Sequence, residues 1–404
     1  MTFADFDLHS NIYKAIIQCG YTEPTEVQAK AIPIILNGKD IIVTAQTGTG
    51  KTASFVLPAL HALSKENRDK QTKVLILTPT RELANQITKA ASTYGKHMRF
   101  NIVSLVGGMP YHHQIRDLAR GADIIVATPG RLLDHIEQKR VDLSHIRILV
   151  LDEADRMLDM GFIDDVQYIA KLTPKERQTL LLSATINQKL IHSVKHLLKN
   201  PVTINLSEDT VTAPQIKQVI VRADNLHHKT RLLKQILTEQ QIFKAIIFSA
   251  TKMHAAALAN QLCDEGFPAA ALHGDLRQNV RTRTLEQLRK GKIQYLVATD
   301  VAARGIDVSD ITHVINFDLP KFSEDYVHRI GRTGRAGKLG CAISFVQASD
   351  RRALQAIERF IGHRIELMNG GYASNEEPVK TSEKKWTREK SRPSQHEKSL
   401  KNKP

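Results

Sequence analysis

The chain has 404 residues, of which 42% are hydrophobic, and its formal net charge is +15. This length can form two domains of ordinary size, and the strong positive charge favours an anionic partner, nucleic acid above all. The chain has three widely separated cysteines, which argues against a disulfide scaffold and a zinc site. It shows no signal-peptide pattern, which argues against secretion. No apolar run approaches the ~18 residues of a membrane span, which argues against membrane insertion. We therefore expect a cytoplasmic protein.

The first predicted strand, residues 40–44, leads into the sequence AQTGTGKT of residues 45–52, and a predicted helix follows over residues 52–63. The Gly-Lys-Thr end of this stretch matches the phosphate-binding pattern G-x-x-x-x-G-K-[ST], although its first glycine is here Ala45. A strand before and a helix after are the required context, because N–H groups at the helix N-terminus then face a polyphosphate. Lys51 would reach the β- and γ-phosphates, and the Thr52 hydroxyl would bind Mg²⁺. The pattern predicts a nucleotide site rather than an ordinary turn.

Four more short apolar runs follow in the first half of the chain, and they predict strands buried on both faces, as in a parallel α/β sheet. They lie at residues 74–77, 124–126, 148–151 and 180–182. A polar stretch that ends in proline, residues 206–214, interrupts the pattern, and we place a domain linker there. The first domain is therefore predicted to span residues 1–205.

A second series of apolar runs predicts a second α/β domain over residues 215–369. The runs lie at residues 245–248, 269–272, 295–298, 314–317 and 342–345. This half has no Gly-Lys pair followed by Ser or Thr. The pattern therefore indicates a single nucleotide, bound by the first half, on which the second half acts.

The C-terminal segment, residues 370–404, differs in composition from the rest of the chain. From residue 372 onward it holds nine Lys or Arg residues, five Glu residues and almost no aliphatic ones. Such a segment cannot bury enough apolar surface to order itself, so we expect a flexible basic tail. The tail either adds sequence-independent affinity for phosphates or only raises solubility.

An acidic cluster, Asp152-Glu153-Ala154-Asp155, follows the strand predicted at residues 148–151. A P-loop ATPase keeps its metal-holding Asp in such an acidic motif. Asp152 would then hold Mg²⁺ through water, and Glu153 would polarise the attacking water. Acids placed at the positive end of a helix dipole would explain the charges. They would not explain why the charges occur together with a phosphate-binding sequence.

These motifs are similar to those of the DEAD-box RNA helicases, whose name is spelled by residues 152–155. The resemblance runs from Phe3 to about Phe345 with the motifs in family order, and AQTGTGKT is a usual form of the loop there. It implies two tandem RecA-like parallel-sheet domains that form a helicase core, with ATP and Mg²⁺ as cofactors. The catalytic residues it implies are Lys51, Asp152, Glu153, Arg332 and Arg335, and the metal-binding residues are Thr52 and Asp152.

The ATP site implied by the resemblance joins the phosphate-binding loop to residues 20–28, which are similar to the family's Q motif. The Gln28 amide can donate and accept at the N6 and N7 edge of adenine, and Tyr21 can stack on the base, so ATP is expected rather than GTP. Phe3, further upstream, either helps at the base or packs in the core. The complete set is Tyr21, Thr25, Gln28, Ala45, Gln46, Thr47, Gly48, Thr49, Gly50, Lys51, Thr52 and, at the ribose, Asp307.

The second half carries the sequence HRIGRTGR at residues 328–335, and three arginines in a glycine-punctuated turn are not typical of a core. By resemblance, Arg332 and Arg335 act as arginine fingers on the γ-phosphate, a contact that can be worth ~10³–10⁵ in rate. Arg329 is expected to brace the acidic motif across the cleft, and an RNA-facing turn is the alternative for one of the three. Ser183-Ala184-Thr185 is expected to link the ATP state to RNA, through hydroxyls that hydrogen-bond the acidic motif.

The resemblance also implies RNA contacts by glycines, small hydroxyl residues and arginines, which suit close approach to phosphates and 2′-OH groups. These residues are Pro79, Thr80, Arg81, Gly107, Gly108, Thr128, Gly130, Arg131, Gly274 and Thr299. They offer no base-reading code, so we expect backbone binding with little sequence specificity. Ala250 stands where many relatives have Asn or Arg, which puts an RNA contact at that position in doubt.

The sequence therefore predicts an RNA-dependent ATPase that unwinds short RNA duplexes or remodels RNA–protein complexes. An ATP-gated RNA clamp or annealing chaperone would use the same residues and stays an alternative. A DNA translocase fits the DEAD spelling and the Q motif poorly, and a small-molecule kinase leaves the arginines of the second half unexplained. The short basic extension resembles the bacterial RhlE-type branch, which suggests ribosome assembly or RNA turnover. We expect a monomer without a membrane partner.

Overall fold

The computed structural model describes residues 1–45, 48–66, 69–206, 215–239, 242–303, 308, 310–334 and 338–368. Within these ranges the chain forms two α/β halves, each built on a seven-stranded parallel sheet. This confirms the predicted class of two parallel-sheet units in tandem. The predicted linker, apart from Leu206, and the predicted tail at residues 370–404 lie outside the described residues.

The first sheet contains all five apolar runs that the sequence predicts as strands. Its strands are β1 (Ile41–Thr44), β2 (Val74–Leu77), β3 (Ile102–Leu105), β4 (Ile124–Ala127), β5 (Ile148–Leu151), β6 (Gln178–Ser183) and β7 (Val202–Asn205). Their spatial order is β3-β4-β2-β5-β6-β1-β7. The prediction misses β3 and β7, because both are edge strands that are only partly buried and lack a continuous buried apolar run.

Helices cover both faces of the first sheet, since alternate residues of its strands enter two separate apolar cores. Val43 and Val150 belong to one core, while Ile42 and Leu149 belong to the other. The helices are α1 (Ser10–Gln18), α2 (Glu26–Leu36), α3 (Lys51–Ser64), α4 (Arg81–Tyr94), α5 (Tyr111–Ala119), α6 (Pro129–Glu137), α7 (Ala154–Asp159), α8 (Ile163–Lys171) and α9 (Gln188–Val194). Phe3–Phe6 and Lys195–Leu197 form 3-10 turns.

The second sheet repeats this architecture. Its strands are β8 (Ile216–Arg222), β9 (Ala245–Phe248), β10 (Ala269–Leu272), β11 (Tyr295–Ala298), β12 (His313–Asn316), β13 (Gly340–Val346) and β14 (Glu366–Leu367), in the order β10-β11-β9-β12-β13-β8-β14. The five predicted runs lie on strands, with one displaced by a single residue at β12. The prediction misses β8, in which Lys217 and Gln218 interrupt the apolar pattern, and the two-residue β14.

The helices of the second half are α10 (Leu226–Glu239), α11 (Lys252–Asp264), α12 (Gln278–Arg289), α13 (Asp300–Ala303), α14 (Ser323–Ile330) and α15 (Arg351–Ile361), with a 3-10 turn at Ala348–Asp350. As in the first half, Ile247 and Ile246 of one strand enter opposite apolar cores. None of the described helices has the length and apolar character that a bilayer span requires.

The carboxyl edge of the first sheet faces the second half. Asp155, just beyond β5, lies with its Oδ2 3.6 Å from Nε2 of His328 on α14. Ligand sites of open parallel sheets lie at this edge. The fold therefore brings the loops after β1, β5 and β6 to the cleft between the halves.

Candidate active site and nucleic-acid interface

The phosphate-binding loop is a tight turn that begins at the buried end of β1. The Ala45 backbone N–H donates to the Ser183 carbonyl at 3.1 Å, so the first residue of the loop is fixed to the neighbouring strand. Gly48 and Gly50 have φ values of +87° and +90°, which favour glycine strongly. Helix α3 starts directly afterwards at Lys51. Gln46 and Thr47 lie outside the described residues.

Lys51 is buried at the start of α3, and its Nζ donates to the Ala45 carbonyl. Burial lowers the pKa of this ammonium; the nearby carboxylates of the acidic cluster oppose that shift, and Arg332 of the second half adds to it. The loop, the acidic cluster and one predicted arginine finger therefore share one electrostatic environment.

The Q motif packs directly on the phosphate-binding loop. Gln28 is buried, accepts from the Thr25 backbone N–H at 3.0 Å and donates to the Gly50 carbonyl at 3.1 Å. A Cβ on Gly50 would lie 2.5 Å from Gln28 Nε2, so only glycine allows this approach. The amide predicted to read adenine thus also holds the loop, with one donor and one acceptor position left for a ligand.

The two aromatic residues predicted near the base differ in exposure. Tyr21 is exposed, with its ring centroid 6.3 Å from that of Tyr94, so its ring is accessible for stacking. Phe3 is buried in the core and packs edge-on against Phe6 with centroids 5.9 Å apart. Of the two alternatives for Phe3, the structure shows core packing.

The acidic cluster concentrates negative charge where water is largely excluded. Asp152 is buried, and burial, followed by the charge of Glu153, raises its pKa to about 7. Glu153 has a φ of +52°, a left-handed conformation that non-glycine residues adopt mainly under tertiary constraint. This conformation places it at the N-terminus of α7. Carboxylates crowded together in this way repel one another, so the site fits a divalent cation that would neutralise them. Asp152 and Thr52 carry the oxygen donors that Mg²⁺ prefers.

The described residues include no group of three or more His, Cys, Asp or Glu side chains that could hold a metal ion. Mg²⁺ beside a nucleotide is typically held only in part by protein carboxylates, while substrate phosphates and water complete the shell.

The predicted link between Ser183-Ala184-Thr185 and the acidic cluster is confirmed as a hydrogen-bond network. Asp155 Oδ2 accepts from both the backbone N–H and the hydroxyl of Thr185 at 3.0 Å. The Asp155 backbone N–H in turn approaches Ser183 Oγ at 3.3 Å, and that hydroxyl donates to the Thr185 carbonyl at 2.6 Å. Any movement of the loop after β6 therefore reaches the acidic cluster directly.

Two contacts cross the cleft at the acidic cluster. The Arg156 guanidinium, buried, bonds the Asp325 carboxylate of α14, and His328 Nε2 lies 3.6 Å from Asp155 Oδ2. The sequence reading assigned no role to Arg156 or Asp325. The sequence signal for Arg156 was its charge directly after the acidic motif, on a helix with buried neighbours.

The prediction for Arg329 is wrong. Its guanidinium bonds both carboxylate oxygens of Asp300 at 2.6 and 2.8 Å, and also Asn316 Oδ1 and the Asp318 carbonyl, all within the second half. The guanidinium therefore ties together loops of its own sheet and does not brace the acidic motif. Asp300 supplies a bidentate carboxylate in the same half, which is the strongest partner geometry available to arginine.

The predicted arginine fingers and ribose contact are described only in part. Arg332 is buried at the end of α14, with its Nε donating to the His328 carbonyl at 3.3 Å. Arg335 and Asp307 lie outside the described residues.

On the predicted RNA side, Arg81 lies against the Gly107–Gly108 turn. A Cβ on Gly108 would lie 1.9 Å from Arg81 Nη1, and Gly108 has a φ of +71°. A Cβ on Gly107 would lie 3.1 Å from Arg81 Nη2. The paired glycines therefore provide a flat backbone surface for this guanidinium.

A second set of contacts crosses the cleft here, and the sequence reading missed it. Glu82 accepts from Arg281 Nη2 at 2.7 Å and from its Nε at 3.0 Å. Arg81 Nη1 lies 3.3 Å from Gln278 Oε1. Gln278 and Arg281 are spaced i, i+3 on α12 and so share a helix face. This spacing was the only local sequence signal for the contact.

The other predicted RNA residues, apart from Arg131, fall into three groups. Pro79 and Thr80 are buried, and the Thr80 hydroxyl caps α4 by accepting from the Leu83 N–H at 3.3 Å. A Cβ added to Gly130 or Gly274 would have no described heavy atom within 4 Å, and neither residue has a left-handed φ, so packing does not require glycine at either. Thr128 and Thr299 are half-buried. The Ala250 backbone N–H donates to Asp318 at 2.9 Å, so that group is already bonded.

Comparisons with known proteins identify the family. Residues 25–193 match the family model described as DEAD/DEAH box helicase, and residues 228–337 match the helicase conserved C-terminal domain. The chain is 42% identical over 367 residues to the ATP-dependent RNA helicase SrmB of Escherichia coli, covering 90% of this chain and 83% of SrmB. It is 44% identical to the helicase DeaD of Buchnera aphidicola, covering 91% of this chain and 61% of DeaD.

Solved structures support the same assignment. Yeast Dbp5 bound to RNA and ADP BeF3 has 34% identity and a TM-score of 0.83, covering 91% of this chain and 95% of Dbp5. A Dbp5 variant bound to Nup159, Gle1, IP6 and ADP has 33% identity and a TM-score of 0.62, covering 89% of this chain and 94% of that one. Both halves thus match tandem RecA-like domains, in an arrangement more similar to the RNA-bound state. The chain belongs to the DEAD-box family of ATP-dependent RNA helicases.

Proposed function

We propose that this chain hydrolyses ATP when RNA holds its two halves together, and that closure locally unwinds short RNA duplexes or remodels RNA–protein complexes. The observation that carries the proposal is the pair of contact sets across the cleft. One set, at Asp155 and Arg156, adjoins the predicted ATP site. The other, at Arg81 and Glu82, adjoins the predicted RNA site. Because both sets need the same closed arrangement, ligands at the two sites favour one another.

At the ATP site, the chain's own residues divide the chemistry. Lys51 and the N–H groups at the start of α3 bind the phosphates, and Glu153 takes a proton from the attacking water. Arg332 and Arg335 supply positive charge to the γ-phosphoryl group from the second half. Asp152 and Thr52 would hold Mg²⁺, which neutralises the charge on the phosphates. The site is complete only when the second half closes on the first.

At the RNA site, Arg81 and Arg131 provide positive charge beside an exposed glycine turn. Gly130 and Gly274 leave open space beside their backbones, which suits close approach of a sugar-phosphate chain. These groups recognise phosphates and 2′-OH groups rather than base edges, so we propose binding with little sequence specificity. Division into domains at residues 1–205 and 215–369 is part of this proposal. The monomeric state, cytoplasmic location and work on ribosome assembly or RNA turnover stay predictions.

The test is the ATPase rate of the full chain with and without single-stranded RNA, with single-stranded DNA as control, at one low salt concentration. Salt must be fixed because phosphate contacts weaken steeply with it. We expect strong stimulation by RNA alone, and ATP should tighten RNA binding by the same factor by which RNA tightens ATP binding. A rate indifferent to RNA, or equal stimulation by DNA, would refute the proposal. Strand-displacement and annealing assays then separate unwinding from the clamp alternative.

A further inference from the structure

Arg131, a predicted RNA contact on α6, is held by a second residue that no motif identifies. The Arg131 guanidinium carbon lies 4.1 Å above the centroid of the Tyr111 ring, within the range of a cation–π contact. Tyr111 is the first residue of α5, and 41% of it is exposed. The arginine therefore lies on an aromatic surface at the edge of the Gly107–Gly108 turn.

Two further contacts restrict the same guanidinium, and a third fixes the carboxylate that it approaches. Tyr111 donates its hydroxyl proton to Asp134 Oδ2 at 2.7 Å, and Arg131 Nε lies 3.3 Å from that same oxygen. Arg131 Nη1 donates to the Met109 carbonyl at 3.0 Å. As a result only 9% of the Arg131 side chain is exposed. Tyr111 and Asp134 thus form a clamp with a ring face on one side and a carboxylate on the other.

The clamp opposes a repulsion. Burial lowers the pKa of Arg81; the charge of Glu82 opposes that shift, and the charges of Arg281 and Arg131 add to it. Three guanidinium groups therefore share this part of the cleft. Repulsion among the three disfavours this grouping, and Asp134 beside Arg131 and Glu82 beside Arg281 offset it. A phosphate binds more tightly when these charges are already in place, because ordering a long side chain on binding reduces affinity.

We propose that Tyr111 is a positioning residue for RNA binding: its ring and its hydroxyl bond to Asp134 hold Arg131 beside the glycine turn, ready for a phosphate of the RNA backbone. This inference rests on the proposed RNA contact of Arg131. It assigns Tyr111 no direct contact with a base.

The test compares Tyr111→Leu, Tyr111→Phe and Arg131→Gln in the full chain, with Tyr168→Leu on α8 as an exposed-tyrosine control. Affinity for single-stranded RNA is measured by fluorescence anisotropy over a salt series, and kcat is measured at saturating RNA. Arg131→Gln should lower the slope of log affinity against log salt by about 0.7, the amount expected for one lost phosphate contact on a single strand. Tyr111→Leu should weaken binding about 2- to 30-fold and reduce the slope in the same direction. Tyr111→Phe keeps the ring and should lose less.

The double variant Tyr111→Leu with Arg131→Gln decides how Tyr111 acts. If Tyr111 works through Arg131, the double variant binds RNA no more weakly than Arg131→Gln alone, and each Tyr111 variant keeps its melting temperature. Tyr168→Leu should keep both its melting temperature and its kcat. An additional loss in the double variant, with an unaltered salt slope for Tyr111→Leu, would mean direct stacking on a base and overturn the inference. No effect of Arg131→Gln at all would instead overturn the proposed RNA contact on which the inference depends.

Discussion

Replacing Arg281 by methionine is expected to weaken closure of the two halves without destabilising either one. Arg281 makes two contacts to Glu82 Oε1, at 2.7 Å from Nη2 and 3.0 Å from Nε. The side chains of Arg281 and Glu82 are only 10% and 8% exposed in the closed arrangement. Removing one partner of such a pair leaves a buried charge, which costs about 3–5 kcal/mol when the charge cannot reach water.

In this protein the Glu82 carboxylate can be hydrated again, because opening the cleft returns it to solvent. The cost therefore falls on the closed arrangement alone. Gln278 Nε2, 3.4 Å from the same Glu82 oxygen, remains as one long contact. We expect a penalty near the low end of the range, about 3 kcal/mol, which corresponds to a shift of about 100-fold in the closure equilibrium.

The measurement is the RNA concentration that gives half-maximal ATPase stimulation, together with energy transfer between dyes on the two halves. Arg281→Met should raise that concentration by about two orders of magnitude and reduce the closed population, with little change in melting temperature. Arg283→Met, an exposed residue on the same helix, is the matched control. Adding Glu82→Gln removes the buried charge and should restore part of the closure. A lowered melting temperature with unchanged closure would refute the reasoning and make the pair an ordinary packing contact.

Four further outcomes are expected. Glu153→Gln should lower the single-turnover ATPase rate about 10²- to 10⁴-fold with RNA binding retained; an unchanged rate would exclude Glu153 as the base. Gly108→Ala, which places a Cβ 1.9 Å from Arg81 Nη1, should weaken RNA binding by about tenfold or more. Gly274→Ala should leave the melting temperature unaltered, since no described atom lies within 4 Å of its Cβ position. Asp152→Asn should abolish ATPase yet stabilise the nucleotide-free protein, more at pH 8 than at pH 4. The reason is that the pKa of Asp152, raised from 3.8 to about 7, makes the wild type lose stability as pH rises through that interval; an equal gain at both pH values would contradict this.

The local sequence was sufficient for the central strands and for the phosphate-binding turn. Strands buried on both faces of a parallel sheet are continuous apolar runs, such as Val74–Leu77 and Ile148–Leu151, and need no knowledge of their neighbours. The left-handed backbone at positions 48 and 50 favours glycine at both, and the approach of Gln28 adds a second reason at Gly50. Edge strands such as Ile102–Leu105 cannot be identified in this way, because half of their residues are only partly buried.

Only the tertiary structure decided which charged groups pair. Arg156 and Asp325 are 169 residues apart in the chain, and Arg281 and Glu82 are 199 apart. Several acidic residues could pair with Arg329 as far as the sequence shows, and in the structure it bonds Asp300 of the same half. Charge attraction is not directional along a chain, so the partner of a buried arginine is set by the packing of helices and sheets around it. That packing depends on all of the strands and helices together, so a motif of eight residues cannot predict which charged groups pair.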